Sequence, residues 1–147
     1  MKIILAIDGS AHSKAAVQEI AKRPFADNTK VRIISAYEKT SLTMKMEPMG
    51  ALRQYHSKLE QKALEAAENA TEEAAIVLRK KNPSLIVTTK VIRDSPKSAI
   101  LKEAEKFGAD LIVVGSHGYG VVKSFLLGSV SHSVVLHAKC SVEIVRK

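Results

Sequence analysis

Residues 111–133, LIVVGSHGYGVVKSFLLGSVSHS, constrain this chain more than any other stretch. An apolar run, Leu111-Ile112-Val113-Val114, breaks into a loop carrying Gly115, Gly118 and Gly120. The loop closes at Gly128-Ser129, where a helical pattern begins. Strand, glycine-rich loop and helix N-terminus, in that order, is how α/β proteins hold phosphate. The N–H groups of the loop and first turn are unpaired donors, and the helix dipole adds partial positive charge. Glycine lets the backbone approach an anion with no side chain in between. The spacing is Gly115-x2-Gly118-x9-Gly128-Ser129. A Walker A loop would need Gly-Lys-Ser/Thr together, and a dinucleotide fingerprint would need G-x-G-x-x-G after the first strand; the chain has neither.

The remaining pattern alternates strand with helix. Residues 2–7 are almost wholly apolar, as in a strand covered on both faces. Asp8-Gly9-Ser10 ends it, and Ser10 is a good N-cap for a helix over about 11–23 that Pro24 stops. A second strand spans 31–37, and residues 38–50, with Met44, Met46, Pro48 and Met49, read as a loop. A long helix over about 51–81 shows an apolar stripe at Leu52, Tyr55, Leu59, Ala63, Ala66, Ala70, Ala74 and Val77. Asn82-Pro83 ends it. A third strand at about 85–92 is followed by Asp94-Ser95-Pro96, a cap for a helix over 96–107 with Gly108 as its stop. The fourth strand is 111–115, the last helix about 129–138, and the fifth strand 142–146.

Such alternation predicts a single α/β domain with a five-stranded parallel sheet and helices on both faces. The two all-apolar strands, first and fourth, belong side by side at the centre, which gives the order 3-2-1-4-5. Ligands in open α/β sheets bind beyond the carboxyl ends of the strands where the order reverses. Asp8-Gly9-Ser10 and Gly115–Gly118 are the two strand ends that meet there.

The 147 residues are 46% hydrophobic, with no apolar run approaching the roughly 20 residues of a membrane helix. The short apolar start is interrupted by Asp8, so it reads as a strand rather than a leader, and a cytoplasmic location is expected. Cys140 is the single cysteine, which excludes an internal disulfide; His137-Ala-Lys-Cys140 lacks the second pair of a zinc site. A formal net charge of +8 suits anionic partners. The basic residues are dispersed, apart from Arg79-Lys80-Lys81, and no aromatic residues interleave with them, so nucleic acid is a minor hypothesis.

The glycine spacing resembles the ATP-binding signature of the universal stress protein family, G-x2-G-x9-G-[S/T], with each fixed position matched. AlaIleAspGlySer (6–10), the stretch 110–118 and HisAlaLysCysSerValGluIleVal (137–145) extend the resemblance over the whole chain. It implies a Rossmann-like fold binding ATP or another adenine nucleotide, often with a bridging divalent cation such as Mg2+. Asp8 would contact the nucleoside and Ala36 would lie against adenine. Gly115 and Gly118 would line the ribose–phosphate path, and Gly128 and Ser129 would receive the outer phosphates. Ala6, His117 and Val130 complete the implied set. Three positions depart from the family pattern: Tyr119 in place of a basic residue (with Lys123 as a local cation), Asp94 in place of a glycine, and Ser141 in place of a proline. Asp94 adds a carboxylate that could narrow or repel part of the site.

Each of these residues also has an ordinary structural role open to it. Asp8 could merely end a strand, Ser129 could be an ordinary helix cap, and His117 could be a spacer whose backbone does the binding. His12, His56 and His132 read as surface residues. No base, metal-carboxylate set or P-loop lysine is evident, so the expected behaviour is binding with at most very slow hydrolysis. A receiver-type signalling domain would need paired acidic residues after strand 1 and leaves the glycine loop unexplained. A dimeric protein-interaction module that binds no nucleotide is the second alternative. Strand 5, an exposed edge, predicts a homodimer through Val142–Val145, with the protein partner unspecified.

Overall fold

The computed structural model describes residues 1–38, 50–118 and 127–147, with the side chains of 51 and 52 left aside. The elements run β1 (Lys2–Ala6), α1 (Ala11–Lys22), β2 (Lys30–Tyr37), α2 (Gly50–Lys81), β3 (Ile86–Arg93), α3 (Pro96–Phe107), β4 (Leu111–Gly115), α4 (Ser129–His137) and β5 (Ser141–Val145). All neighbouring strands are parallel, in the order β3-β2-β1-β4-β5. This is the expected order. The methionines at 44, 46 and 49, Pro48, Tyr119, Gly120, Lys123 and the side chain of Leu52 lie outside the described residues.

The central strands are apolar throughout because alternate side chains enter different cores. Ile3, Leu5 and Ile7 join Val31, Ile33 and Val113 beneath α1 and α2. Ile4 and Ala6 join Ile34, Ile112 and Val114 beneath α3 and α4. Helix ends follow their signals. Ser10 accepts from the Ser13 N–H at 3.3 Å, and Gly108 takes the left-handed conformation (φ 65°) as its N–H reaches the Ala104 and Glu105 carbonyls.

Helix α2 departs from the expected stripe. Its buried residues are Ala67, Thr71, Ala74, Ala75 and Leu78, while Tyr55 is 58% exposed and Leu59 38%. Ala66 is also exposed. The reason is length. A helix of 32 residues spans about 48 Å, whereas the eight-residue strand β2 spans roughly 26 Å. The buried residues of α2 all lie in its second half, against the sheet and α1, while the first half reaches the end of β3 through Glu60 and Arg93; an alanine-rich pattern leaves the helix phase underdetermined.

Polar contacts tie the layers together. Buried Glu103 of α3 binds Arg32 of β2 and Lys90 of β3, both at 2.6 Å. Burial alone would raise its pKa; hydrogen bonds from Lys90 and Arg32 outweigh this and hold it below the ordinary value. Arg23, the C-cap of α1, forks onto both carboxylate oxygens of Glu143 in β5 at 2.6 Å.

Candidate functional site

The crevice opens where β1 and β4 end side by side, with Ala6 opposite Val114 in the ladder. Beyond Ala6 the chain continues far enough for the Ile7 N–H to reach the Ile34 carbonyl at 2.9 Å. It then turns at Gly9 (φ 84°) into α1. Asp8 stands at this turn with its Oδ1 accepting from the Ser10 N–H at 2.9 Å. Its side chain is exposed, so the carboxylate both shapes the turn and faces the opening.

The glycines across from it differ in what they permit. A Cβ on Gly115 would lie 2.8 Å from the His12 backbone carbon and 2.9 Å from the Ser13 nitrogen, so β4 meets the first turn of α1 backbone to backbone. A Cβ on Gly118 would lie 2.6 Å from Oδ2 of Asp8. At Gly128 the contacts would be the Ser116 oxygen at 3.2 Å and the His117 Cα at 3.3 Å. Its φ of −59° lies outside the left-handed region, so only space there favours glycine.

Gly128 also has its backbone donor engaged. Its N–H donates to the Ser116 carbonyl at 2.9 Å, so that donor is occupied by the fold. The Ser131 hydroxyl also lies 3.0 Å from the same carbonyl. These bonds seat the start of α4 on the end of β4. Among the described residues from Gly128 onward, the N–H groups of the first helical turn, beginning at Ser129, remain to meet an anion.

His12 is half-buried rather than a surface residue. Its Nδ1 lies 3.2 Å from Oγ of Ser116, and Nδ1 of His117 lies 3.1 Å from the same oxygen. Ser116 is 1% exposed and is absent from the crevice lining. Asp94 does not line the crevice. Its carboxylate bonds Lys102 at 2.9 Å, the Ser98 hydroxyl at 2.7 Å and the Ser95 N–H at 2.8 Å. Lys102 first, then the two serines, lower its pKa to about 2. Its charge is therefore compensated within α3.

The crevice has a volume of about 360 Å³, and Ala6, Asp8, Ala36, Gly115, His117, Gly118, Gly128, Ser129 and Val130 all line it. Sequence reasoning missed Ser13, Pro96, Ile100 and Ser131 in the same wall. Ser131 had a signal, since a hydroxyl three residues into a helix can turn back on the preceding loop. The lining positions of α3 depend on how that helix crosses the sheet. Among the described residues, no three His, Cys, Asp or Glu are grouped to hold a metal ion, and no helix is long and apolar enough to cross a membrane.

Comparison with known proteins matches residues 1–146 to the family model described as "Universal stress protein family". A Staphylococcus aureus (strain USA300) protein bearing the universal stress protein name is 34% identical over 151 residues, covering 98% of this chain and 82% of its own length. The solved universal stress protein UspA from Lactobacillus plantarum superposes with a TM-score of 0.80 at 21% identity, over 99% of this chain and 97% of its own. A universal stress protein solved in complex with cAMP gives 0.59 at 24% identity, over 99% and 96% of the two chains. One from Arabidopsis thaliana with AMP bound gives 0.59 at 18%, over 100% and 92%.

Proposed function

The chain belongs to the universal stress protein family, and we propose that within it this protein is a binder of adenine nucleotides, ATP foremost, that acts as a regulatory sensor in a stress response. The observation that carries the reading is the crevice at the switch between β1 and β4, walled by Asp8, Gly118 and the first turn of α4. It offers backbone donors at one end and small apolar side chains, Ala6 and Ala36, at the other. A flat base suits the apolar end and phosphates suit the helix N-terminus. The relatives solved with cAMP and AMP support the choice of an adenine ligand.

Binding with slow or absent hydrolysis is the chemistry this lining supports. Asp8 is the single carboxylate among the described lining residues, and one of its oxygens already serves the turn. A catalytic base for phosphoryl transfer needs a third group to hold it. Mg2+ would enter with the phosphates, which would supply most of its oxygen ligands, and Asp8 is the described lining carboxylate that would be available to add one.

Thermal unfolding of the purified protein with Mg-ATP, AMP and adenosine tests the reading. Ligands that bind the native state alone raise Tm, by RT ln(1 + [L]/Kd) in free energy. An unchanged Tm at millimolar nucleotide favours the non-binding interaction module instead.

The homodimer through β5 is part of the same proposal. Val145 directs its carbonyl to the Ser116 N–H, so the alternate residues Val142 and Ile144 direct theirs outward along the open edge. Ile144→Pro deletes one outward donor and should shift light scattering from dimer to monomer at micromolar concentration. A folded variant that stays dimeric places the interface elsewhere.

A further inference from the structure

The described lining of the crevice contains no lysine or arginine, so a phosphate there relies chiefly on backbone N–H groups. Such donors serve an anion well only when they are aimed before it arrives. The start of α4 decides where they point. Ser129, Val130 and Ser131 make its first turn, and all three line the crevice. Their N–H groups are among those that a helix start leaves without intrahelical partners.

Two donors from this stretch converge on one acceptor. The Gly128 N–H reaches the Ser116 carbonyl at 2.9 Å, and the Ser131 hydroxyl reaches the same oxygen at 3.0 Å. A carbonyl oxygen has two lone pairs, so both bonds form together. The same hydroxyl lies 3.0 Å from the carbonyl of Gly128, the residue that caps the helix. Its proton is thus shared between the residue that follows β4 and the residue that precedes α4. Ser131 is 3% exposed and Ser116 is buried, so bulk water competes little for these contacts.

The two bonds have different consequences. The Gly128 bond alone is a pivot about which the first turn can rock. A second donor three residues on, directed at the same fixed oxygen, removes that freedom. Pairing of the backbone does not depend on the hydroxyl. Without it the Ser116 carbonyl keeps the Gly128 N–H, and the Gly128 carbonyl keeps the His132 N–H at 2.9 Å. No buried carbonyl is orphaned, so the hydroxyl contributes orientation more than it contributes folding. The other serines of the wall do not join these segments. The Ser13 hydroxyl donates to the Ser10 carbonyl within the start of α1 at 3.0 Å, and the Ser10 hydroxyl meets the His117 carbonyl only at 3.5 Å.

We propose that Ser131 is the positioning residue of the phosphate end. It holds the first turn of α4 against Ser116 and keeps the N–H groups of 129–131 aimed into the crevice. It thereby sets how strongly the site prefers phosphorylated to unphosphorylated adenine ligands. The proposal rests on the adenine-nucleotide reading and names the group that sets its selectivity for phosphate. Ser131 acts through the backbone, since its own proton is engaged by two carbonyls.

Calorimetric titration of AMP and adenosine at neutral pH tests this, with Ser131→Ala, Ser131→Cys and Ser131→Thr beside wild type. Ser131→Ala should lower the preference for AMP over adenosine roughly tenfold, about the worth of one hydrogen bond to a charged group, while adenosine affinity changes by less than about twofold. Ser131→Cys fills similar space with a weak donor and should behave like alanine. Ser131→Thr restores the hydroxyl and should restore the preference. An unchanged ratio in Ser131→Ala, with or without a fall in Tm, overturns the positioning role. A folded Ser131→Thr that resembles alanine also overturns it.

Amide hydrogen exchange of the ligand-free protein tests the anchor separately. The Gly128 and His132 N–H groups should exchange faster in Ser131→Ala than in wild type. The Ala138 N–H, bonded to the Val134 carbonyl at the far end of α4, should keep its rate. Unchanged exchange at Gly128 and His132 overturns the anchor. If AMP, ATP and adenosine all fail to bind wild type, the nucleotide reading falls, while exchange still decides whether Ser131 fixes the turn.

Discussion

A Cβ on Gly115 would strike the backbone of α1, whereas one on Gly118, three residues on, would strike a carboxylate oxygen of Asp8. Both glycines belong to one sequence signature, yet they answer to different parts of the molecule. Gly115 lets β4 and the first turn of α1 come together, a contact between two rigid backbones. Gly118 leaves room for a side chain at the mouth of the crevice, and that side chain can turn. The pair shows that a ligand-binding signature contains positions the fold requires for its own sake. Gly128 is of the first kind, since its close neighbours are the backbone atoms of Ser116 and His117 and its N–H is bonded to the strand end.

The contrast breaks most directly at Gly115. Gly115→Val forces α1 away from the sheet, and we expect a stability loss of about 3 kcal/mol or more, the upper range for overpacking. Urea unfolding measures it. A loss below about 1 kcal/mol would mean that α1 yields, and the two glycines would not differ in kind.

A contact remote from the crevice supplies the reference for a purely fold-holding role. Glu103→Gln keeps the shape of the side chain and leaves Arg32 and Lys90 without a carboxylate, which should cost about 2–3 kcal/mol. The sign with pH follows from the lowered pKa of Glu103. Its stabilising contribution is full above the ordinary carboxylate value near 4.5 and is lost as pH falls through the lower native value. The difference between wild type and variant should therefore shrink in acid, while nucleotide affinity at neutral pH stays the same. A variant that loses nucleotide at neutral pH would couple α3 to the crevice.

Gly118→Ala is the smallest perturbation of the three in stability and the one aimed at the site. Asp8 can rotate to admit the methyl, so stability should change by less than about 1 kcal/mol. Losing the carboxylate from its place should weaken nucleotide binding roughly tenfold, or about 1.4 kcal/mol. Calorimetric titration checks it. Unchanged affinity would remove Asp8 from the binding surface and leave it as a turn residue.

The amino-acid sequence determined the order of the sheet and the position of the crevice. Fully apolar strands are compatible only with burial on two faces, which placed 2–7 and 111–115 at the centre, and the parallel connections then left one point of reversal. Caps such as Ser10 and Gly108 were legible because they act within a few residues of chain. Contacts made across the fold were not. The phase of α2 was settled by how far the sheet extends beneath it, a quantity that no local pattern carries. His12 reads as a surface position on its own helix, and only the approach of β4 to α1 brings it to Ser116. The partner of the Gly128 N–H, the Ser116 carbonyl, is likewise not written locally, because hydrogen-bond partners distant in sequence are assigned by packing. Asp94 looked like a stray charge facing the site; α3 turns Lys102 and Ser98 onto it. Periodicity and local hydrogen bonding are written along the chain, whereas the neutralising of charges and the claiming of donors are decided only when distant segments are brought within about 3 Å of each other.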